Sequence, residues 1–268
     1  MYRTTGPMTE KRVPHTLDAS AFYNSLAPDY DGMTGFAKRF AHEKPFFRLL
    51  VENRGIRTAL DAGSGTGFHS LLLAGLGVRV TAVDVSGEML DRLEVHSREM
   101  ALDVRRVRSD FAGLRDLLTG PYDAVFCMGN TLPHLQSETE IRETLSTFAT
   151  LLPPGGLLFL QVLNYERILA LHERVQGARE SGGITTVRFY DLDAQGGKIL
   201  FNILRLEKKE EKIGTALITI PLLPLTHSSM MSMLEKSGFS KVASYGSIAM
   251  EPFDPAESKD LVILATTS

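Results

Sequence analysis

Apolar positions change rhythm along the chain, and each change marks a different kind of structure. In "SAFYNSLAPDYDGM" and "FAKRFAHEKPFFRLLVENRG" they recur at helical spacing, which predicts helices ahead of the first strand. From Ile56, short apolar runs alternate with amphipathic stretches. "IRTALDA" is a strand running into glycines, "FHSLLLAGLG" a helix and "VRVTAVDV" a second strand. "GEMLDRLEVHSREM" reads as a helix with Ser86 as its N-cap, "DVRRVRSD" as a third strand, "AGLRDLL" as a short helix and "YDAVFCMG" as a fourth strand. "SETEIRETLSTFATLL" is a helix opened by a capping-box pattern, Ser137 followed by Glu140. Pro153, Pro154, Gly155 and Gly156 end it, and "LLFLQVL" is apolar throughout, as a strand covered on both faces should be.

Strands alternating with helices make βαβ units, so an α/β fold with helices on both faces of a parallel sheet is expected. Beyond Tyr165 the alternation fails. "GITTVRFYDLD", "GGKILFNILRLE" and "KIGTALITIPLLPL" are strand-like runs with little helix between them, which predicts an antiparallel insertion over 183–225. "RLEKKEEK" is a solvated hairpin connection. "HSSMMSMLEKSGF" returns to helix, and "KVASYGSI" and "KDLVILATT" supply two last strands.

Composition narrows the function. The chain has 268 residues, 43% hydrophobic and 23% charged, with a net charge of −3, so no overall field invites nucleic acid or an anionic membrane. "MYRTTGPMTEKRVPHT" is polar with no signal-peptide core, and residues 1–18 read as a flexible arm. No run approaches the roughly 18 apolar residues that cross a bilayer. The single cysteine, Cys127, lies in the apolar "AVFCM" and reads as a buried structural thiol in a reducing cytosol, so a cytoplasmic location is expected. Composition leaves monomer and homo-oligomer equally open. His15, His42, His69, His96, His172 and His227 have no metal-ligand spacing, and no metal is expected.

The chemistry concentrates in "ALDAGSGTGFHSLLLAGLGVRVTAVDVS". Gly63-x-Gly65-x-Gly67 is not the dinucleotide spacing G-x-G-x-x-G, because its third glycine comes one residue early. Asp61, at the mouth of the first strand, would repel a pyrophosphate and attract an ammonium group. Asp84, at the end of the second strand, stands where a carboxylate accepts hydrogen bonds from ribose hydroxyls. A ligand that is both nucleoside and cation answers both carboxylates, and S-adenosylmethionine is such a ligand.

Here the sequence resembles a known family. "LDAGSGTG", "VDVSGEML", "SDF", "FCMGNTLPHL" and "LLPPGGLLFLQVLNYERIL" are similar to the successive motifs of class I S-adenosylmethionine-dependent methyltransferases. "MGNTLPHL" and "LNYERIL" most resemble the glycine N-methyltransferase branch. The resemblance implies a Rossmann-like doubly wound, mostly parallel seven-stranded sheet with an antiparallel last strand. It makes 19–268 the methyltransferase domain and 183–225 a β insertion covering the acceptor site. It also implies that Gly63, Gly65 and Gly67 pass under the cofactor while Asp61 supports its amino end. Asp84 would hold the ribose, Val85 would also bind the cofactor, Met89 would cover the adenine, and Asp110 and Phe111 would bracket the adenine edge. Met128, Asn130 and His134 would lie along the methyl-donor side. Tyr30 would cover the cofactor and line the acceptor channel, and Arg39 would bind the cofactor carboxylate through its planar fork. Asn130 is the expected positioning group, its carbonyl oxygen accepting a hydrogen bond from the nucleophile. Each residue also has a plainer reading: Met89 as core filler, His134 as a helix-end hydrogen-bonder, Tyr30 as packing, Arg39 as part of a solvated face.

Two departures bear on the acceptor. Glycine-methylating relatives carry an arginine where Leu163 precedes Asn164-Tyr165, and Arg167 is expected to point elsewhere. Tyrosines expected in the inserted sheet are replaced by "ITIPLLPLTH". A larger, less charged small molecule than glycine, methylated at N or O, is therefore expected. The rival readings are a nicotinamide-dependent dehydrogenase, a nucleic-acid methyltransferase of the same fold, and a non-catalytic S-adenosylmethionine-binding module.

Overall fold

The computed structural model describes residues 16–192, 195–209 and 212–268. The expected N-terminal arm over 1–18 lies almost wholly outside the described residues. The chain enters through helices α1 (Ala19–Leu26), α2 (Tyr30–Thr34) and α3 (Phe36–Arg54). Then β1 (Thr58–Ala62), α4 (Phe68–Ala74), β2 (Arg79–Asp84), α5 (Gly87–Glu99) and β3 (Val104–Arg108) alternate. The alternation continues through α6 (Leu114–Leu117), β4 (Ala124–Cys127), α7 (Glu138–Thr150) and β5 (Leu157–Leu163). A short α8 (Tyr165–Ala170) leads into β6 (Val175–Ser181), β7 (Ile184–Asp191), β8 (Ile199–Lys209) and β9 (Lys212–Leu222). Helix α9 (His227–Lys236), β10 (Phe239–Tyr245) and β11 (Asp260–Thr267) complete the order.

The main sheet has seven strands in the order β10-β11-β5-β4-β1-β2-β3. Every neighbouring pair is parallel except the two that β11 makes, with β5 and β10. Successive strand residues face opposite sides, so one strand feeds two cores. Ala124 and Phe126 join Ala59, Phe159 and the apolar faces of α3 and α4, whereas Val125 and Cys127 join Leu60, Leu158 and α7 and α9. Cys127 is buried, and burial pushes its thiol far up, which makes it unreactive.

Helix starts follow local chemistry. Ser86 caps α5 by accepting from the Met89 N–H, as the sequence predicts. Ser137 likewise caps α7 through the Glu140 N–H, but the reciprocal arm differs from the expected box. The Glu140 carboxylate accepts from the Gln136 N–H at 2.8 Å, one residue before the cap.

The second sheet is antiparallel in the order β6-β7-β8-β9 and starts at Val175, earlier than the expected 183. Its first strand, "VQGARES", is mostly exposed and carries no apolar alternation to reveal it. One face of this sheet packs on the N-terminal helices: Ile199, Ile203, Ile220 and Leu222 share a core with Phe22, Leu26 and Met33. That packing holds α1 and α2 over the carboxyl ends of β1, β2 and β4, where the main sheet opens into a cavity.

Candidate functional site

The turn after β1 is held open by the shape of its surroundings. A Cβ on Gly63 would run into the Thr131 side chain, and one on Gly67 into Leu93. Gly65 instead faces space, with only Tyr30 Cε1 at 3.7 Å, and its φ of 55° is left-handed. The Gly63 and Ser64 N–H groups both donate to the Val83 carbonyl, at 2.8 and 2.9 Å, which fastens the turn to β2.

Asp84 completes the fastening. Its Oδ2 accepts from the Gly65 N–H at 2.8 Å and its Oδ1 from the Ser86 N–H at 2.9 Å. Burial pushes its carboxyl up, and those two backbone donors offset part of the rise. Asp84 and Val85 both line the cavity, with Gly63 and Gly65. Asp61 does not reach the cavity wall. It is 1% exposed beneath the turn, where Oδ2 accepts from Ser70 Oγ at 2.6 Å, so it ties β1 to α4. Burial pushes its carboxyl up as well, against the opposing pull of His69 and Ser70.

Two further expected contacts also lie off the wall. Met89 is fully buried in the core formed by α1, Tyr165 and the second sheet, so it packs there and not over the cavity. Gly67 stands behind the turn against Leu93. Asp110, Phe111 and Met128 do line the cavity, and Asp110 Oδ1 holds its own loop by accepting from the Gly113 N–H at 2.9 Å.

The roof comes from α1, α2 and the start of α3. Thr66 Oγ1, on the glycine turn, donates to Asp31 Oδ1 at 2.6 Å, and His96 Nε2 lies 3.1 Å from the other oxygen of Asp31. Arg39 lines the cavity with its guanidinium carbon 4.2 Å above the Phe68 ring. Its Nε donates to Glu43 Oε1 at 2.8 Å, which turns the Nη edge outward. Burial raises the Glu43 carboxyl, but His69 and Arg39 outweigh it and hold the group below its ordinary value.

Tyr23, which the sequence reading did not single out, meets His134 across the cavity: its hydroxyl lies 2.7 Å from Nε2. Burial pushes the His134 imidazole down to about 4, so the ring is neutral at physiological pH. Burial, then the charge of Tyr30, raises the Tyr23 hydroxyl, which stays a phenol. His134 Nδ1 and Ser64 Oγ are buried without a hydrogen-bond partner among the described residues.

Asn130 is not free to meet a nucleophile as expected. Its Oδ1 already accepts from the Leu163 N–H at 3.0 Å, and its amide contacts the Tyr165 hydroxyl at 2.8 Å. It joins the end of β4 to the end of β5, beside the cavity rather than on its wall. Arg167 is equally committed, both arms of its fork on Glu173 at 2.7 and 2.9 Å.

Comparison with known proteins follows the same geography. Residues 59–156, from β1 to the start of β5, match the family described as a methyltransferase domain. The glycine/sarcosine N-methyltransferase of Halorhodospira halochloris is 35% identical over 148 residues, 55% of either chain. The glycine/sarcosine/dimethylglycine N-methyltransferase of Actinopolyspora halophila is 30% identical over 232 residues, 84% of this chain and 39% of that protein. The chain thus spans about half the length, or less, of these curated relatives. Among solved structures, the CcbJ methyltransferase from Streptomyces caelestis superposes with a TM-score of 0.78 at 25% identity, covering 94% of this chain and 100% of that one.

Proposed function

We propose that this chain, which belongs to the class I S-adenosylmethionine-dependent methyltransferases and to their glycine N-methyltransferase-like branch, transfers a methyl group to the nitrogen of a small-molecule acceptor. The observation that carries the reading is the cavity at the ends of β1, β2 and β4, where a glycine turn pinned by Asp84 faces a neutral His134. Its wall fits the cofactor. Asp84 can accept from ribose hydroxyls, the Nη edge of Arg39 matches a carboxylate, and Ser64 Oγ and His134 Nδ1 await polar partners. The relatives named for N-methylation favour nitrogen over oxygen as the acceptor atom.

When bound, S-adenosylmethionine supplies an electrophilic methyl group whose departure from sulfur needs no acid catalyst. The work left to the protein is alignment and exclusion of water. Asp84 and the glycine turn hold the nucleoside, and Arg39 the methionine carboxylate. With the Nε2 hydrogen directed at the Tyr23 oxygen, His134 Nδ1 offers a lone pair to an amine N–H and turns the nitrogen lone pair toward the methyl carbon. An imidazole pushed down to about 4 is a weak base, so the amine arrives neutral and its proton leaves to water after transfer. Asn130 is a positioning residue, fixing Leu163 and Tyr165 behind the acceptor.

In this reading residues 19–268 act as one methyltransferase domain, and the sheet around 183–225 roofs the acceptor side. A cytoplasmic location accords with a chain whose one cysteine, Cys127, is buried; no helix among the described residues is long and apolar enough to cross a membrane. The test is incubation with labelled S-adenosylmethionine and a metabolite extract, followed by mass spectrometry. A labelled N-methyl product supports the assignment; cofactor binding with no product from any extract makes the chain a non-catalytic binding module.

A further inference from the structure

The face of the second sheet that meets α1 and α2 carries three arginines besides its apolar residues. Antiparallel partners share a face. The registers Gly177↔Arg188↔Ile203 and Arg179↔Thr186↔Arg205 therefore set Arg179, Arg188 and Arg205 on the side of Tyr190 and Phe201. Phe201 meets Phe22 of α1 with ring centroids 5.9 Å apart, so this is the side turned to the N-terminal helices.

Two of the three cations are spent there. Arg205 Nη2 lies 3.0 Å from Asp29 Oδ2, and Arg179 Nη1 donates to the Gly32 carbonyl at 3.2 Å. Arg188 is half-buried and, among the described residues, makes no ion pair and no hydrogen bond. The residue opposite it on β6 is Gly177, where a Cβ would meet only Arg188 Nη2, at 3.7 Å. β6 therefore sets no side chain directly opposite the guanidinium. Tyr30, on the cavity wall, and Tyr190 are electrostatically coupled to it. Burial, and then the charge of Arg179, push the guanidinium down, yet an arginine stays a cation.

Other arginines near the site have carboxylate partners or an assigned one: Arg167 is on Glu173, Arg174 lies 3.5 Å from Asp191, and Arg39 holds Glu43 through Nε while its Nη edge serves the cofactor. A half-buried charge without a partner is a cost that an incoming anion removes.

We propose that Arg188 binds a carboxylate of the methyl acceptor, with the acceptor amine at His134 and the carboxylate at the second sheet. This rests on the methyl-transfer reading above. One free planar fork matches one carboxylate through two parallel N–H···O bonds, whereas a phosphate dianion would leave a charge unmatched. At the position before Asn164-Tyr165 the end of β5 carries Leu163 in place of a cation, so the carboxylate sits several atoms from the reacting nitrogen. The acceptor class is a ω-amino acid or a larger amine bearing a remote carboxylate.

The test starts by confirming that the protein binds S-adenosylhomocysteine; failure there refutes methyl transfer itself. The loaded protein is then titrated calorimetrically with ω-amino carboxylates of increasing length and with their amides. The same compounds are assayed for turnover with S-adenosylmethionine. Longer carboxylates are expected to bind about 10- to 100-fold better than their amides. Arg188→Gln should erase that preference without altering affinity for S-adenosylhomocysteine and without lowering the melting temperature, and Arg188→Lys should restore part of it. Equal handling of acid and amide by the wild type overturns the proposal, as does a preference that survives Arg188→Gln.

Discussion

Asp84→Ala isolates the contribution of one carboxylate to cofactor capture. In the wild type the group is 9% exposed and accepts from two backbone N–H groups, at Gly65 and Ser86. Removing it strips the acceptor from both, and each buried orphan donor costs about 1–3 kcal/mol of stability. Cofactor affinity falls separately, because the ribose hydroxyls lose a charged acceptor. That loss is also about 1–3 kcal/mol, or roughly 5- to 150-fold in Kd. Asp84→Asn should fall between, since its one carbonyl oxygen can serve either Gly65 or Ser86 but not both. Calorimetric titration with S-adenosylhomocysteine gives the affinity, and urea denaturation of the unliganded variant gives the stability, so the two losses are read independently. NAD, titrated alongside, should give no saturable heat. A folded Asp84→Ala protein that binds S-adenosylhomocysteine within about twofold of wild type would refute the role of this carboxylate.

Gly67→Ala should destabilise the protein by about 1–3 kcal/mol, because the new methyl meets Leu93 and φ is 90°; urea unfolding measures it, and an unchanged midpoint would remove the packing argument. His134 has a folded value near 4 against an ordinary 6.5, so the unfolded chain binds the extra proton between those limits and stability falls as pH drops through that window. His134→Gln should flatten the stability profile between pH 6.5 and about 4, as measured by melting temperature against pH. Glycine and sarcosine should be turned over negligibly beside longer amines, because Leu163 leaves their carboxylate unpaired; efficient glycine methylation in a release assay would mean a cation reaches the end of β5.

The fold was readable where burial is two-sided. Strands such as "LLFLQVL" are apolar without interruption, and nothing but a covered strand suits such a run. β6 escaped because it is an exposed edge whose pairing partner, not its composition, makes it a strand. At the site, glycines and acids announced the turn, but which carboxylate faces the cavity depends on a rotation of the backbone that spacing does not encode. Asp61 and Asp84 look alike as letters; one turns inward to Ser70 and the other lies on the wall. Asn130 shows the same limit, its amide absorbed by Leu163 of β5 and Tyr165 of α8, 33 and 35 positions later. Tyr23 was hidden for the opposite reason, since an apolar-periodic helix gives no sign that one of its rings will meet a histidine 111 positions later.

The roof over the cavity also sets a timetable for synthesis. Phe22, Leu26 and Met33 find their buried surroundings against Ile199, Ile203, Ile220 and Leu222, and the Leu17 N–H bonds to the Thr219 carbonyl at 2.9 Å. The first helices to leave the ribosome can settle early on α4, α5 and the glycine turn, but part of the apolar face of α1 and α2 waits until β8 and β9, late in the chain, have emerged. Contacts this distant in sequence form slowly, because the intervening loop must close before any burial compensates for it. The glycine turn, its parallel strands and the cavity wall, whose last residue is Leu135, can assemble early, whereas the sheet that backs α1 arrives only near the end of translation. A nascent chain halted before residue 199 would carry the part of α1 that packs on the second sheet still facing water.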